Sequence, residues 1–306
     1  MNMEIIIPLL AAAVQSGTPI LYATLGEIFT ERSGVLNLGV EGIMFVGALV
    51  AFITARVTGD PWLGLVAGGV SGALLAGLHG LVCLNFLGNQ VVSGLALTIL
   101  GTGMGNYFGT SFVGLQAPGF YPLDVPGLAD LPLVGPVFFH QDLLVYCSYL
   151  LVPMLWYFFQ YTRWGLRLRA AGENPDAAEA AGISVLGYRW GGILVGGFLG
   201  GLGGSYLSLA YTHLWATNIT AGRGWIAVGL VIFAFWKPGR ALLGAYLFGG
   251  VMAFQFRLQA MGTALPSSLL LMLPYGLTVL VLILAYVRGQ GTKAPAALGV
   301  NLEPRE

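Results

Sequence analysis

Trp190-Gly-Gly-Ile-Leu-Val-Gly-Gly-Phe-Leu-Gly-Gly-Leu-Gly-Gly-Ser-Tyr-Leu-Ser-Leu-Ala-Tyr211 runs for 22 residues without a charged side chain. A helix of about 20 apolar residues matches a bilayer core about 30 Å thick. Gly192, Gly196, Gly200 and Gly204 recur at every fourth position, and Gly191, Gly197, Gly201 and Gly203 widen the stripe. Glycines at this spacing let neighbouring helix backbones approach closely. The ladder therefore reads as a helix-packing face, with a surface on which helices slide as the second reading.

The remainder of the chain has the same character. Of 306 residues, 57% are hydrophobic, 47 are glycine and 8% are charged, against about 25% charged in an ordinary soluble domain. Thirteen basic and thirteen acidic side chains are too few to solvate a globular surface of this size. That excludes a soluble enzyme, a disordered chain and a nucleic-acid binder. Apolar runs bounded by charge, proline or turn signals fall at about 5–26, 35–55, 62–87, 90–113, 143–162, 190–211, 224–236, 241–256 and 267–287. The expected fold is all-α and polytopic, with about nine membrane-spanning helices, eight to ten in range. The run 224–236 is too short to cross untilted, and the turn at Gly88-Asn89 carries no charge.

Charge sets the orientation. If the segment holding Arg163, Arg167, Arg169 and Arg189 faces the cytoplasm, alternation of nine spans puts Arg32, Lys237, Arg240, Arg288, Lys293 and Arg305 there too. Only Arg56, Arg223 and Arg257 remain outside, as the positive-inside rule favours. The N-terminus is then external and the C-terminus cytoplasmic. Met1–Leu10 lacks a basic region, so a cleaved signal peptide is not expected there. The largest external loop, 114–142, carries Pro118, Pro122, Pro126, Pro132 and Pro136, which prevent a continuous helix and favour a stiff, extended cap. It reads either as a plain surface loop or as a docking surface for an external partner. The tail 289–306 is polar, rich in small residues and expected to be loosely ordered.

Catalytic motifs are missing. Neither Lys237 nor Lys293 follows the glycine that a phosphate-binding loop requires. His79, His140 and His213 are isolated, Cys83 and Cys147 sit in apolar runs, and no G-x-S-x-G is present. No catalytic residue and no metal site is expected. The cytoplasmic stretch Arg169-Ala-Ala-Gly-Glu-Asn-Pro-Asp-Ala-Ala-Glu-Ala-Ala-Gly-Ile183 has a plainer message. Asn174 suits an N-cap, Pro175 the first helical position, and Asp176 the positive end of the dipole. Ala177, Ala178, Ala180 and Ala181 favour helix, and Gly182 can end it. A short capped helix with an alanine face fits a groove on another protein better than it fits an inert connector.

Gly172-x-Asn174-Pro175-x-Ala177-Ala178-x-x-Ala181-Gly182-Ile183 resembles the coupling loop of permeases in the ribose, nucleoside and branched-chain amino-acid group of ABC importers. Thr24-Leu-Gly-Glu-Ile-Phe-Thr-Glu-Arg-Ser-Gly-Val-Leu-Asn-Leu-Gly-Val-Glu-Gly-Ile-Met44 resembles the nucleoside and simple-sugar branch. So do Gly88-Asn-Gln-Val-Val-Ser-Gly94, Gly222-Arg-Gly-Trp-Ile-Ala-Val228 and Leu271-Met-Leu-Pro-Tyr275. The resemblance covers about 20–288. It implies one permease domain over 1–288 with 163–189 as its coupling loop, in a bacterial-type plasma membrane. It implies a second permease subunit, a cytoplasmic ATP-binding subunit that holds ATP and magnesium, and an external substrate-binding protein. It places Gly172, Glu173, Asn174, Pro175, Ala177, Ala178, Ala181 and Gly182 at the ATPase contact, and no cofactor on this chain.

Polar groups inside the apolar runs are the remaining candidates. Glu41 lies about seven residues into the second run, roughly 10 Å from its end, where an ionised carboxylate must face a cavity or a partner. Asn37 stands four residues earlier, hence on the same helical face. Gly34, Gly39 and Gly42 favour a broken helix near the midplane. Glu41 either ties to a neighbouring helix or lines a substrate path. The fourth run carries Asn89, Gln90, Ser93, Gly94, Thr98, Thr102 and Asn106, a polar stripe that either bonds helices together or lines the same path. Arg223 is expected to anchor at the outer interface by snorkelling, or to meet a polar ligand. The path residues proposed from sequence are Asn37, Glu41, Gln90 and Asn106. The expected function is a permease subunit importing nucleosides or related simple sugars, and the alternative is an ion-coupled secondary transporter.

Overall fold

Backbone amides in lipid have only their own chain to bond, so long apolar runs fold as helices. The computed structural model describes residues 3–262, 266–287 and 294–302. In order it contains α1 (Met3–Arg32), α2 (Val40–Thr58), α3 (Pro61–Gly80), a π-helical stretch Leu81–Asn85, and α4 (Gln90–Gly109). There follow β1 (Pro122–Asp124), α5 (Val134–Phe138), β2 (His140–Asp142), α6 (Leu143–Tyr161), α7 (Arg163–Glu173) and α8 (Pro175–Ala180). The last elements are α9 (Val185–Tyr206) with a π-helical stretch to Tyr211, α10 (Arg223–Ala234), α11 (Pro238–Ala260) and α12 (Ser267–Val287). Seven helices among the described residues are long and apolar enough to cross a membrane: α1, α2, α3, α4, α6, α9 and α11. The expected spans seven and nine are present as shorter apolar helices, α10 and the described Leu269–Val281 of α12.

The glycine ladder puts α9 at the centre, against α1, α2 and α3. A Cβ on Gly196 would stand 2.7 Å from the Gly26 carbonyl oxygen and would overlap the Thr30 hydroxyl. Gly192 lies against Ser33, Gly200 meets Ile43 of α2 more loosely at 3.1 Å, and Gly204 sits directly on the Met44 carbonyl. Gly201 and Gly197 turn toward α3, where they oppose Gly68 and Ala76. The same helix thus approaches three neighbours at backbone distance.

Alternating helices leave two ends. At one, Arg32 donates from Nε and Nη2 to the Trp236 carbonyl at 3.0 and 2.9 Å, beside Lys237 and the start of α11. Gly172 presses on the Arg32–Gly34 backbone there, so α7 and α8 belong to the same end. At the other, Arg56 Nη1 donates to the Gln116 carbonyl at 2.5 Å and the segment 114–142 forms a cap. The expectation of an all-α chain needs a small correction here. β1 and β2 pair antiparallel, and α5 fills the turn between them. Proline spacing excluded a long helix and left room for a three-residue strand and a one-turn helix. Asp142 fastens the cap: its Oδ1 accepts from the Leu144 and Val145 amides at 2.9 and 3.1 Å, and its Oδ2 from the Tyr206 hydroxyl at 2.9 Å.

Candidate functional site

Between α1 and α2 the chain turns back into the bundle. Gly34 makes the turn at φ +93°, in a left-handed conformation that a side chain resists. Backbone groups that enter the bundle need partners there. The Leu36 amide donates to Gln90 Oε1 at 2.8 Å, and the Leu36 carbonyl lies 3.1 Å from His79 Nε2. The Asn37 amide donates to Glu27 Oε1 at 3.1 Å, the Gly39 amide to Asn37 Oδ1 at 2.9 Å, and Thr98 Oγ1 to the Leu38 carbonyl at 2.9 Å. Asn37 is therefore level with Glu27, more than one turn inside the end of α1. This corrects two expectations. Asn37 precedes α2 and shares no helical face with Glu41, and Glu41 stands in the first turn of a helix that begins within the bundle.

A second break faces the first. After α9 the chain passes through 212–222 without regular structure, with Asn218 and Ala221 at φ +55° and +46°, and re-enters the bundle at the start of α10. The Glu41 carboxylate sits at that helix start. Its Oε1 accepts from Thr220 Oγ1 at 2.6 Å and from the Gly222 amide at 2.9 Å, and its Oε2 from the Gly224 amide at 2.6 Å. Unpaired amides and the helix dipole both favour a negative group at this position. Gly224 is required by the contact, since a Cβ there would stand 2.5 Å from the Glu41 Cα. Glu41 is 5% exposed, and the geometry is that of a carboxylate tied to a neighbouring helix. Arg223, expected at the interface with lipid, is instead buried at 3% exposure. Its Nη1 donates to the Ile219 and Thr220 carbonyls at 3.2 Å, and its guanidinium lies 5.5 Å over the Tyr211 ring.

The four residues proposed for a path separate into two groups. Asn37, Glu41 and Gln90 are buried and bonded inside this chain. Asn106 is exposed, on a face of α4 that also shows Val92 and Ile99. Thr102 and Thr110 bond back to their own helix, at Thr98 and Asn106 carbonyls. Sequence reasoning missed Glu27 and Glu31, 2% and 1% exposed. Glu31 Oε2 accepts from Trp236 Nε1 at 2.5 Å. The signal was available as two glutamates four residues apart just past an apolar run, but the expected span ended at 26. His79 was set aside as isolated, and it braces the linker together with Ser93, whose Oγ is 3.0 Å from Nδ1. Among the described residues no three His, Cys, Asp or Glu side chains gather as a metal site would require.

The capped helix lies at the basic end. Asn174 Oδ1 accepts from the Ala177 amide at 3.0 Å, and Gly182 ends the turn at φ +76°. Ala178 is buried against Ala171 and Val185, and Gly172 against α1, so these two anchor the unit. Glu173, Asn174, Ala177, Ala181 and Gly182 are exposed, and Pro175 is half-buried. Asn174→Ala is expected to cost the helix about 1 kcal/mol, giving roughly fivefold faster amide exchange over 177–181. Hydrogen-exchange mass spectrometry checks this, with Asn174→Asp keeping the protection.

Comparison with known proteins gives one consistent result. Residues 9–284 match the model of a family described as the permease component of the branched-chain amino acid transport system. A putative glucose ABC transporter permease protein of Haloferax volcanii is 46% identical over 261 residues, 84% of this chain and 79% of its own. A nucleoside ABC transporter permease protein of Lactococcus lactis is 36% identical over 93% of both chains. A guanosine ABC transporter permease protein of Bacillus subtilis is 34% identical over 92% of this chain and 91% of its own. No solved structure matches.

Proposed function

Because the chain belongs to the permease-component family of the branched-chain amino acid transport system, we propose that it imports nucleosides or related simple sugars as the membrane-spanning subunit of an ATP-driven ABC transporter. The observation that carries the substrate class is similarity over nine-tenths of the chain to relatives named for nucleoside and guanosine transport. The ion-coupled alternative has no such support. The basic end, with Arg32, α7, α8 and Lys237, faces the cytoplasm by the positive-inside rule. Counting the broken segment 212–234 as one crossing gives nine, with the N-terminus outside.

In this reading ATP and its magnesium bind a partner subunit, and that subunit docks on the exposed residues of α8. An external binding protein delivers substrate at the β1–β2 cap. A second permease faces α4, and the path runs between the two subunits past Asn106. Asn37, Glu41 and Gln90 stand behind that path and hold the helix breaks in shape. A neutral nucleoside asks for hydrogen bonds to hydroxyls and ring nitrogens, which an amide side chain can supply.

The test is reconstitution in proteoliposomes with the partner ATPase, second permease and binding protein. Labelled guanosine or glucose should accumulate only with ATP on the ATPase side. Uptake by this chain alone under an ion gradient would overturn the reading. Replacing both Ala177 and Ala181 by arginine should leave membrane insertion intact and abolish co-purification of the ATPase. Continued binding and transport in that double variant would remove α8 from the docking surface.

A further inference from the structure

The segment 294–302 differs from the loosely ordered tail that its composition suggests. The Ala296 amide donates to Glu173 Oε2 at 3.3 Å, and the Ala297 amide to the Gly172 carbonyl at 2.9 Å. The Gly299 amide donates to the Gly34 carbonyl at 3.2 Å, and the Val300 carbonyl accepts from Arg189 Nη1 at 2.7 Å. Asn301 closes the series. Its Oδ1 accepts from Gln90 Nε2 at 3.1 Å, and its Nδ2 donates to the Leu87 and Gly88 carbonyls at 2.6 and 3.2 Å. One short segment therefore bonds in turn to the unit that carries α8, to the α1–α2 linker, to the start of α9 and to the turn that opens α4.

Ala297 is buried and Leu298 and Leu302 pack against apolar clusters of the bundle, while Val300 is 55% exposed, so apolar contact and directional bonds together hold the segment. Such bonds fix relative positions, and they transmit displacement between the groups they join. A groove of about 440 Å³ separates α8 from the tail, lined on one side by Asn174 and Glu179 and on the other by Ala297 and Leu302. The coupling helix thus has space beside it, and the tail, bonded to Gly172 and Glu173 of α7, forms the far wall of that space. Its far end grips α4 where that helix starts, and α4 carries the exposed face assigned above to the second permease and the path.

We propose that residues 294–302 are the tie through which movement of α7 and α8 reaches the start of α4, with Asn301 as its positioning residue. The proposal rests on the function proposed above. Substrate does not touch the tie, which acts by moving α4 when the ATPase moves α8.

The experiment uses the full transporter in proteoliposomes and reads two quantities, ATP hydrolysis and substrate uptake. Asn301→Ala should still co-purify with the ATPase and keep basal hydrolysis, while uptake per ATP falls at least tenfold. A second variant guards against a merely structural loss. In a background with Cys83→Ala and Cys147→Ser, Leu87→Cys with Asn301→Cys should be uncoupled as reduced thiols. A short bifunctional thiol linker between them should restore uptake. Normal coupling in Asn301→Ala would overturn the proposal, as would a linker that joins the two cysteines without restoring uptake. Loss of the ATPase together with uptake would also overturn it, by making the tail part of the dock. A wild-type complex that binds the ATPase but shows no ATP-dependent uptake would instead overturn the function proposed above.

Discussion

Gly204→Leu is expected to unfold the bundle, while Gly191→Leu on the same helix is expected to leave it intact. A Cβ at Gly204 would lie on the Met44 carbonyl, and that oxygen belongs to the backbone of α2. No rotamer relieves such a contact, so α2 and α9 must separate along their length. Extra methylenes in a close-packed core cost about 1–3 kcal/mol where side chains can shift. Here nothing can shift except whole helices, and total stability is only about 5–15 kcal/mol. At Gly191 a Cβ finds no atom within 4 Å and the residue is exposed. Fluorescence-detected gel filtration of detergent extracts measures both variants. A monodisperse Gly204→Leu peak melting within a few degrees of the wild type would show that the ladder is not a packing face.

Glu41→Leu is the second large effect, and Glu41→Gln separates its causes. Leucine strands the Gly222 and Gly224 amides and the Thr220 hydroxyl, each worth about 1–3 kcal/mol when buried without an acceptor. It also removes a negative group that lies within electrostatic reach of the buried Arg223 guanidinium. Glutamine keeps the shape and one acceptor but turns an NH2 group toward an amide donor. Melting temperatures should therefore fall in the order wild type, Gln, Leu, with the leucine variant failing to assemble. A leucine variant as stable as the glutamine variant would mean that the carboxylate caps nothing.

The helices were legible because lipid permits so few alternatives. Runs such as 62–87 and 267–287 have to be helical, and the structure places helices there. Charge was legible for a related reason: Arg32, the arginines of 163–189 and Lys237 gather at one end. The breaks were not. Gly34, Gly39 and Gly42 signalled that the second run is interrupted, but hydropathy could not say that α1 continues to Arg32 or that α2 waits until Val40. Val35 to Leu38 are apolar in three positions of four, so a window average reads them as helix. Their hydrogen bonds go to Glu27, His79, Gln90 and Thr98, which lie up to 60 residues away in sequence. The same remoteness hid the role of Asn301, because a lone asparagine in a polar tail carries no periodic signal. Glu41 was found as a charge out of place, and its partner was invisible for lack of any pattern linking it to 220–224.

A helix of 12 residues rises about 18 Å, little more than half of a bilayer core. During synthesis α10 therefore cannot settle in the membrane by its own hydrophobicity. Its start becomes tolerable in lipid only when the Glu41 carboxylate is already there to receive it, and α2 leaves the ribosome some 180 residues earlier. The order of the chain provides this: the acceptor is inserted first and waits, buried beside helices that follow it, for the amides that will need it. A permutation of the chain that placed 212–234 ahead of α2 would remove the host into which that half-helix is delivered.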